Sequence, residues 1–254
     1  MSGHNKWSSI KHKKGAADAK RGKLFSRLSK EITLAAREGG ADADMNPRLR
    51  TAIAAAKDAN MPNDNIDRAV KKGTGELGAD TLEELTYEGY APGGVAVIVN
   101  CLSDNRNRTA ATVRSCFTKH NSNIANNGAV SYMFQRKARF VVEGEHADED
   151  ALMETIFDAG VDVENIIVED GSAEIIAPPD AFAAMADCLD SAGIPISESS
   201  LVMIPDTSTP VTDPGTARQV LRLVEALEED DDVQQVFTNF EIDDDLMDEL
   251  ASES

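Results

Sequence analysis

The order of secondary-structure signals between Arg136 and Ile204 constrains the fold of this chain more than any other feature. Residues of alternating polarity predict strands, and residues of helical period predict helices, in the order strand, helix, strand, strand, helix, strand. This βαββαβ order is the split βαβ unit of a ferredoxin-like domain, so we expect an α+β fold. The predicted strands span residues 138–142, 164–169, 172–176 and 200–204, and the predicted helices span residues 148–159 and 180–192.

The segments on either side of this unit predict a second α+β domain. Residues 85–90 and 94–102 predict two strands, followed by a helix and by a strand near residues 130–134. A helix beginning at Pro214 and a strand at residues 233–242 come after the unit. Because one helix and one strand form a poor core alone, we expect them to join the earlier strands, with the βαββαβ unit inserted between.

The residues before these strands predict three helices that share one small core. Their spans are residues 17–37, 47 to about 59, and about 63 to 72. Gly39-Gly40 suits the cap of the first helix, and Asn46-Pro47 supplies an N-cap and a first-turn proline to the second. The predicted domains are residues 1–79, a basic arm and helical domain; residues 80–135 plus 206–242, a discontinuous α+β middle domain; residues 136–205, the inserted ferredoxin-like domain; and residues 243–254, an acidic tail.

Charge is divided unevenly along the chain. Up to Arg139 there are 23 basic and 14 acidic residues, whereas from Phe140 onward there are 2 basic and 31 acidic residues. Within the first 30 residues nine are basic and only Asp18 is acidic. Because an acidic half repels a nucleic acid backbone, we expect a bound strand to be confined to one face of the molecule.

The basic N-terminal stretch is the first candidate nucleic-acid interface. Leu24, Phe25, Leu28 and Ile32 form an apolar stripe at helical spacing, and the neighbouring basic side chains lie mostly off it. We therefore predict that these side chains face outward and bind a polyanion; the alternative is a solvated basic surface without a ligand. The residues assigned to this interface are Lys6, Trp7, Lys11, His12, Lys13, Lys14, Lys20, Arg21, Lys23, Arg27 and Lys30. Trp7 either stacks on a base or packs against the first helix.

A second candidate site lies before the helix that follows the first two strands. Arg106 and Arg108 stand near the N-terminus of that helix, where cations oppose the helix dipole unless an anion is also present. With Asn105 and the free backbone N–H groups, they would form a phosphate site. The alternative is that the arginines pair with Asp104 or with glutamates of the preceding strand.

Other chemistry is not indicated by the sequence. Residues 73–78 match G-x-G-x-x-G, but a predicted helix precedes them where a dinucleotide site needs a strand. Cys101, Cys116 and Cys188 are odd in number and widely spaced, so we expect no disulfide framework. Cys116 and His120 are four residues apart, yet no paired-ligand motif accompanies them and we expect no metal. No hydrolase, zinc-protease or P-loop motif occurs, so we expect no catalysis.

The sequence also lacks signals for membranes or export. No segment approaches the roughly 18 consecutive apolar residues of a membrane span. The N-terminus lacks the apolar core of a secretion signal. We therefore expect a cytoplasmic protein with no membrane partner.

Several long stretches resemble one protein family. They are GHNKWSSIKHKKGAADAKRGKLFSRLSKEI, NPRLRTAIAAAKDANMPNDNIDRAVKKGTGE, YEGYAPGGVAVIVNCLSDNRNRTAATVR with VSYMF after it, and the closing VFTNFEI. The sequence is similar, over nearly its whole length, to the YebC family of bacterial regulatory proteins. A mitochondrial relative in that family activates translation of cytochrome c oxidase subunit one.

The resemblance implies three domains, the third inserted into the second, with no enzyme activity and no cofactor. Some members resemble promoter-binding regulators, and others resemble factors that help the ribosome through difficult sequences such as proline runs. The segment SNIANNGAV departs from the glycine-richer version expected in the family, so we assign no role to that loop.

Charge and resemblance together predict a non-enzymatic, nucleic-acid-binding regulator of gene expression, specifically a DNA-binding transcriptional regulator. The alternative is a translation factor associated with the ribosome or with RNA. The expected partner is promoter DNA in the first case, and ribosomal RNA or the ribosome in the second. The loop at residues 39–46 is too long for the tight turn of a helix-turn-helix, so we expect contacts mostly to the nucleic acid backbone.

Overall fold

The protein combines helices with antiparallel sheets, which confirms the predicted α+β class. The computed structural model describes residues 17–77, 82–169, 171–243, 246 and 250. The helices are α1 (Ala17–Gly39), α2 (Pro47–Asp58), α3 (Asn63–Gly73), α4 (Arg106–Lys119), α5 (Glu149–Asp158), α6 (Phe182–Ser191) and α7 (Pro214–Glu228). The strands are β1 (Glu83–Ala91), β2 (Val95–Ser103), β3 (Asn123–Ala125), β4 (Phe134–Glu143), β5 (Asn165–Glu169), β6 (Ser172–Ala177), β7 (Glu198–Pro205), β8 (Thr209–Pro210), β9 (Val233–Thr238) and β10 (Phe240–Glu241). Within these described ranges, no helix is long and apolar enough to cross a membrane.

Local capping explains where the first three helices begin and end. Gly40, at φ 86°, ends α1 in the left-handed conformation that glycine adopts without steric cost. The Asn46 side chain accepts a hydrogen bond from the Leu49 N–H at 3.1 Å and donates to the Ala35 carbonyl at 2.8 Å. Asn46 therefore starts α2 and also fixes it against the end of α1. A shared apolar core holds the three helices together, and its buried members are Ile32, Ala35, Ala36, Leu49, Ala52, Ala56, Met61, Ile66 and Ala69.

The first sheet has the strand order β3-β1-β2-β9. Strand β9 returns from far along the sequence to pair antiparallel with β2, with Val97 opposite Thr238. Helices α4 and α7 supply apolar side chains to the core of this sheet, which contains Val97, Val99, Val113, Phe117, Val220, Val224, Leu227 and Val236. The late helix and strand thus join the early strands, although the exact domain boundaries stay a prediction.

The second sheet contains the predicted βαββαβ unit in full. Its strand order is β5-β6-β4-β7, with every pair antiparallel. The first and third strands of the unit lie at the centre, as the split βαβ arrangement requires. Helices α5 and α6 cover one face, and Leu152, Ile156, Met185 and Leu189 are buried against Phe140 and Ile175.

One strand prediction was wrong, and another strand is divided in two. The predicted strand near residues 130–134 is a short 3₁₀ turn at Ser131–Met133, and β3 takes the edge position beside β1. The reason is Glu88, whose carboxylate accepts the backbone N–H groups that a strand would use in its ladder. The predicted strand 233–242 is interrupted at Asn239, whose side chain accepts a hydrogen bond from the Ala96 N–H at 2.8 Å.

Gly73 should tolerate no side chain, because α1 and α3 approach closely at that point. A Cβ atom there would collide with the carbonyl oxygen of Thr33 and with the side chain of Ala36. We expect Gly73→Ala to lower the free energy of unfolding by about 1–3 kcal/mol, measured by urea denaturation. Gly22→Ala in α1 is the matched control, because nothing lies within 4 Å of its added Cβ and the helix gains roughly 0.5–1 kcal/mol. Equal effects of the two changes would contradict this account.

Candidate nucleic-acid interface

The basic side chains of α1 face another part of the protein. Glu228 to Asp232, which we call the acidic turn, connect α7 to β9. Lys23 Nζ donates to the Glu229 carbonyl at 2.9 Å, and Lys30 Nζ donates to the Asp231 carbonyl at 2.7 Å. The Arg27 guanidinium donates to the carbonyl of Gln234, the second residue of β9. The prediction that the basic side chains face outward was therefore wrong for Arg27 and Lys30, which are partly buried against this segment, whereas Lys23 is exposed.

Asp232 is the centre of this contact. Its side chain is only 8% exposed and accepts hydrogen bonds from Lys30 Nζ at 2.7 Å and from Arg108 Nη2 at 2.8 Å. The hydroxyls of Thr109 and Ser103 donate to the same carboxylate at 2.8 and 3.1 Å. Burial alone would raise the pKa of Asp232, but the hydrogen bonds from Lys30, Arg108 and Thr109 outweigh it and lower the pKa to about 2. The carboxylate is therefore charged at neutral pH and joins α1 to α4.

Arg108 forms ion pairs with carboxylates of the protein, which was the alternative to a phosphate site. Its Nη2 lies 2.8 Å from Asp104 Oδ1 as well as from Asp232, so two carboxylates compete with any phosphate. Asn105 is the N-cap of α4 and accepts a hydrogen bond from the Arg108 N–H at 3.1 Å. The Asn105 side-chain oxygen is therefore already hydrogen-bonded. The positive charge of Arg108 in the first turn of α4 is neutralised by acidic side chains of the protein.

Arg106 has a different environment, although it lies only two residues away. Its side chain is exposed and lines a cleft of about 460 Å³ together with Tyr87 and Asn127. Burial raises the pKa of Tyr87, while the guanidinium groups of Arg106 and Arg114 oppose that shift. Arg114 is exposed and lies further along α4. A cation, an aromatic ring and an amide therefore meet in the cleft. Glu83 and Glu84 also line the cleft, so it does not carry basic charge alone.

The loop that carries Asn127 is held by one buried carboxylate. Glu88, 4% exposed, accepts hydrogen bonds from the backbone N–H groups of Gly128 and Val130 at 2.7 Å and of Ser131 at 3.0 Å. Burial raises the pKa of Glu88, but these backbone donors outweigh it and leave the pKa below its usual value. Asn127 is consequently presented on a fixed loop at the edge of the cleft.

Of the fourteen predicted interface residues, Asn105 is the N-cap of α4 and the other thirteen fall into three groups. Lys23, Arg27, Lys30 and Arg108 meet at the acidic turn and its flanks, whereas Arg106 lies apart beside the cleft. Lys6, Trp7, Lys11, His12, Lys13 and Lys14 lie outside the described residues, and the side chains of Lys20 and Arg21 also lie outside the description. Interface binding by all of these residues stays a prediction.

Sequence reasoning missed Tyr87, Asn127 and Arg114 as neighbours of Arg106. Arg114 follows Arg106 by eight residues, about two helical turns, so its place near the same side of α4 was open to prediction. Tyr87 and Asn127 come from other elements, and nothing local in the sequence links them to α4.

The cysteines do not form a metal site in the described part of the chain. Cys116 Sγ lies 3.9 Å from His120 Nδ1, and that nitrogen lies 2.8 Å from the Cys116 carbonyl. Burial raises the pKa of Cys101 to about 12 and of Cys116 to about 11, so both remain neutral thiols. Among the described residues, no group of three His, Cys, Asp or Glu side chains is arranged to hold a metal.

Two sequence profiles match almost the whole chain. The TACO1/YebC N-terminal domain matches residues 5–76, and the TACO1/YebC second and third domain matches residues 82–240. The chain belongs to the TACO1/YebC family. This finding confirms the family expected from the resemblance of the N-terminal and central sequence stretches.

The relatives of this TACO1/YebC protein match it from end to end. A "Probable transcriptional regulatory protein" of Syntrophus aciditrophicus is 50% identical over 253 residues, which are 99% of this chain and 100% of the relative. A protein of the same name from Desulfosudis oleivorans is 53% identical over 244 residues, 96% of this chain and 98% of the relative. The crystal structure of the conserved hypothetical protein Aq1575 from Aquifex aeolicus is 47% identical, with a TM-score of 0.83 over 92% of this chain and 96% of that chain.

Removing the charge of Asp232 should destabilise the protein. We expect Asp232→Asn to lower the free energy of unfolding by about 2–4 kcal/mol at pH 7, because Lys30 and Arg108 lose a buried partner. Because the folded pKa of about 2 lies below the unfolded value of about 3.9, the stabilisation is present above about pH 4 and is lost as the pH falls towards 2. Urea denaturation of wild type and variant at several pH values measures this difference.

Asp67→Asn is the control for this change, since it removes one exposed carboxylate from α3. We expect an effect within about 0.5 kcal/mol at every pH. A difference between wild type and Asp232→Asn that grew as the pH fell would have the wrong sign for a carboxylate with a lowered pKa.

Proposed function

We propose that this protein is a non-enzymatic, nucleic-acid-binding regulator of transcription that acts in the cytoplasm. The relatives named as probable transcriptional regulatory proteins support a regulatory role. The single observation that carries nucleic acid binding is the cleft lined by Arg106, Tyr87 and Asn127, with the exposed Arg114 further along the same helix. This cleft lies in the half of the sequence that carries 23 basic and 14 acidic residues.

These four side chains match the chemistry of a nucleic acid strand. Guanidinium groups bind phosphate oxygens, a tyrosine ring stacks on a base, and an asparagine amide donates to and accepts from base edges. We propose that Arg106 and Arg114 bind the backbone and that the basic arm, including Lys11, Lys13 and Lys14, extends the contact. Because phosphate contacts carry no sequence information directly, most of this affinity is independent of sequence.

Both arginines should contribute to binding more than arginines elsewhere. We expect Arg106→Ala with Arg114→Ala to weaken binding of a fluorescein-labelled 30-base-pair duplex by about ten- to a hundredfold at low salt. If each arginine contacts one phosphate, the slope of log K against log salt should also flatten by about 1.8. Fluorescence anisotropy at several salt concentrations measures both quantities.

Arg136→Ala with Arg222→Ala is the matched control, because it removes two exposed positive charges from β4 and α7. We expect this control to change the affinity by less than about threefold. Equal losses in the two double variants would mean that net charge matters and the cleft does not.

The nucleic acid bound in cells should be discrete promoter DNA. Crosslinking in living cells followed by sequencing of the attached nucleic acid identifies it directly. We expect Lys11→Glu, Lys13→Glu and Lys14→Glu together to abolish the recovery, because charge reversal replaces phosphate attraction with repulsion. Recovery of ribosomal RNA, lost in the same variant, would overturn the transcriptional role and favour a translation factor.

A further inference from the structure

The contact between α1 and the acidic turn is built mainly from charged and polar groups. Lys23 and Lys30 each donate to a main-chain carbonyl of the turn, and Lys30 also pairs with Asp232. Among the described residues, the buried apolar cluster that joins α1 to the strands consists of Leu34, Leu82 and Leu102. An interface held by charge is sensitive to competing charged groups in a way that an apolar interface is not.

The acidic turn offers α1 hydrogen-bond acceptors and negative charge, as a nucleic acid backbone does. It consists of five consecutive acidic residues, Glu228 to Asp232, and the Asp232 carboxylate pairs with Lys30. Burial lowers the pKa of Arg27, and the nearby carboxylate of Glu228 counteracts that shift, so Glu228 also acts on α1. The oxygens of a phosphate backbone would accept hydrogen bonds from these lysine and arginine side chains in place of the carboxylate and carbonyl oxygens of the turn.

We propose that the acidic turn is an internal competitor of nucleic acid that covers the basic side of α1 until a bound strand displaces it. This inference rests on the proposed nucleic acid binding and adds its regulation. Phosphate oxygens accept the hydrogen bonds that main-chain carbonyls and Asp232 accept in the protein alone, so displacement does not leave Lys23, Arg27 or Lys30 without a partner. The protein then has a closed state, with α1 on the turn, and an open state, with α1 on the strand.

The space around the contact allows α1 to separate. A cavity of about 640 Å³ lies between α1, α3, α4 and the acidic turn, lined by Ser29, Lys30, Arg68, Arg108 and Asp231 among others. Because α1 is packed against α2 and α3, the three helices move together. The contacts that break include those of Leu34 with Leu82 and Leu102 and the hydrogen bond from Arg37 to the Leu82 carbonyl. Asp232 stays paired with Arg108 and Thr109 after Lys30 departs, so the turn retains its conformation.

The test removes charge from the turn without touching Asp232. Glu228→Gln, Glu229→Gln and Asp231→Asn together eliminate three carboxylates beside α1. We expect the variant to bind a fluorescein-labelled 30-base-pair duplex about three- to tenfold more tightly than wild type in fluorescence anisotropy. The matched control, Glu154→Gln with Asp158→Asn and Asp190→Asn, removes three exposed carboxylates from α5 and α6 and should change affinity less than about twofold.

Each outcome decides the inference. If both triple variants bind the duplex equally more tightly than wild type, the effect comes from total charge. If wild type binds the duplex and the turn variant binds it with the same affinity, the turn does not compete. Absence of duplex binding by every protein would instead overturn the proposed function and, with it, this competition. Hydrogen exchange gives a second measurement: residues 229–234 should exchange faster when duplex is added, and slower exchange would mean that binding leaves α1 in place.

Discussion

A buried carboxylate must be paired, and the pairing of Asp232 positions much of this molecule. Lys30 brings α1 to it, and Arg108 brings the first turn of α4. The Asp232 carbonyl also accepts the Leu102 N–H at 2.8 Å, next to the point where β9 starts to pair with β2. One residue therefore connects the start of the β2–β9 pairing with the contact between α1 and α4. An apolar residue at this position would leave two cations beside a buried surface, which explains why a charged group serves here.

The elements that sequence reasoning predicted well are those that local chemistry determines. Asn46-Pro47 and Asp213-Pro214 each carry a capping side chain and a first-turn proline, and α2 and α7 begin at those prolines. The failed strand near residues 130–134 depended on Glu88, about 40 residues earlier, whose carboxylate takes the backbone N–H groups of Val130 and Ser131. Neither the alternation of polarity nor the strand propensity of residues 130–134 indicates this partner, because the contact depends on how β1 lies beside the loop.

The candidate site shows the same division between local and distant causes. Helical periodicity separates the apolar side of α1 from its basic side, but it cannot distinguish a side that faces water from one that faces another polar segment. Lys30 lies on a side of α1 that faces another polar segment. Arg106 and Arg108 share one helical turn, yet only Arg108 points towards Asp232, a residue more than 120 positions later. The helix itself was predictable, whereas the partner of each arginine depended on where the acidic turn lies.

The acidic turn differs physically from the rest of the acidic half. At physiological salt an exposed charge is largely screened beyond about 8 Å, so most of the 31 acidic residues after Phe140 act on a nucleic acid only weakly and at long range. The turn acts by contact, because its Asp231 carbonyl and Asp232 carboxylate lie 2.7 Å from Lys30 Nζ. Screening by salt weakens a contact of this kind much less than it weakens repulsion across the surface. Competition by the turn should therefore persist under conditions where the general acidity of the chain no longer affects binding.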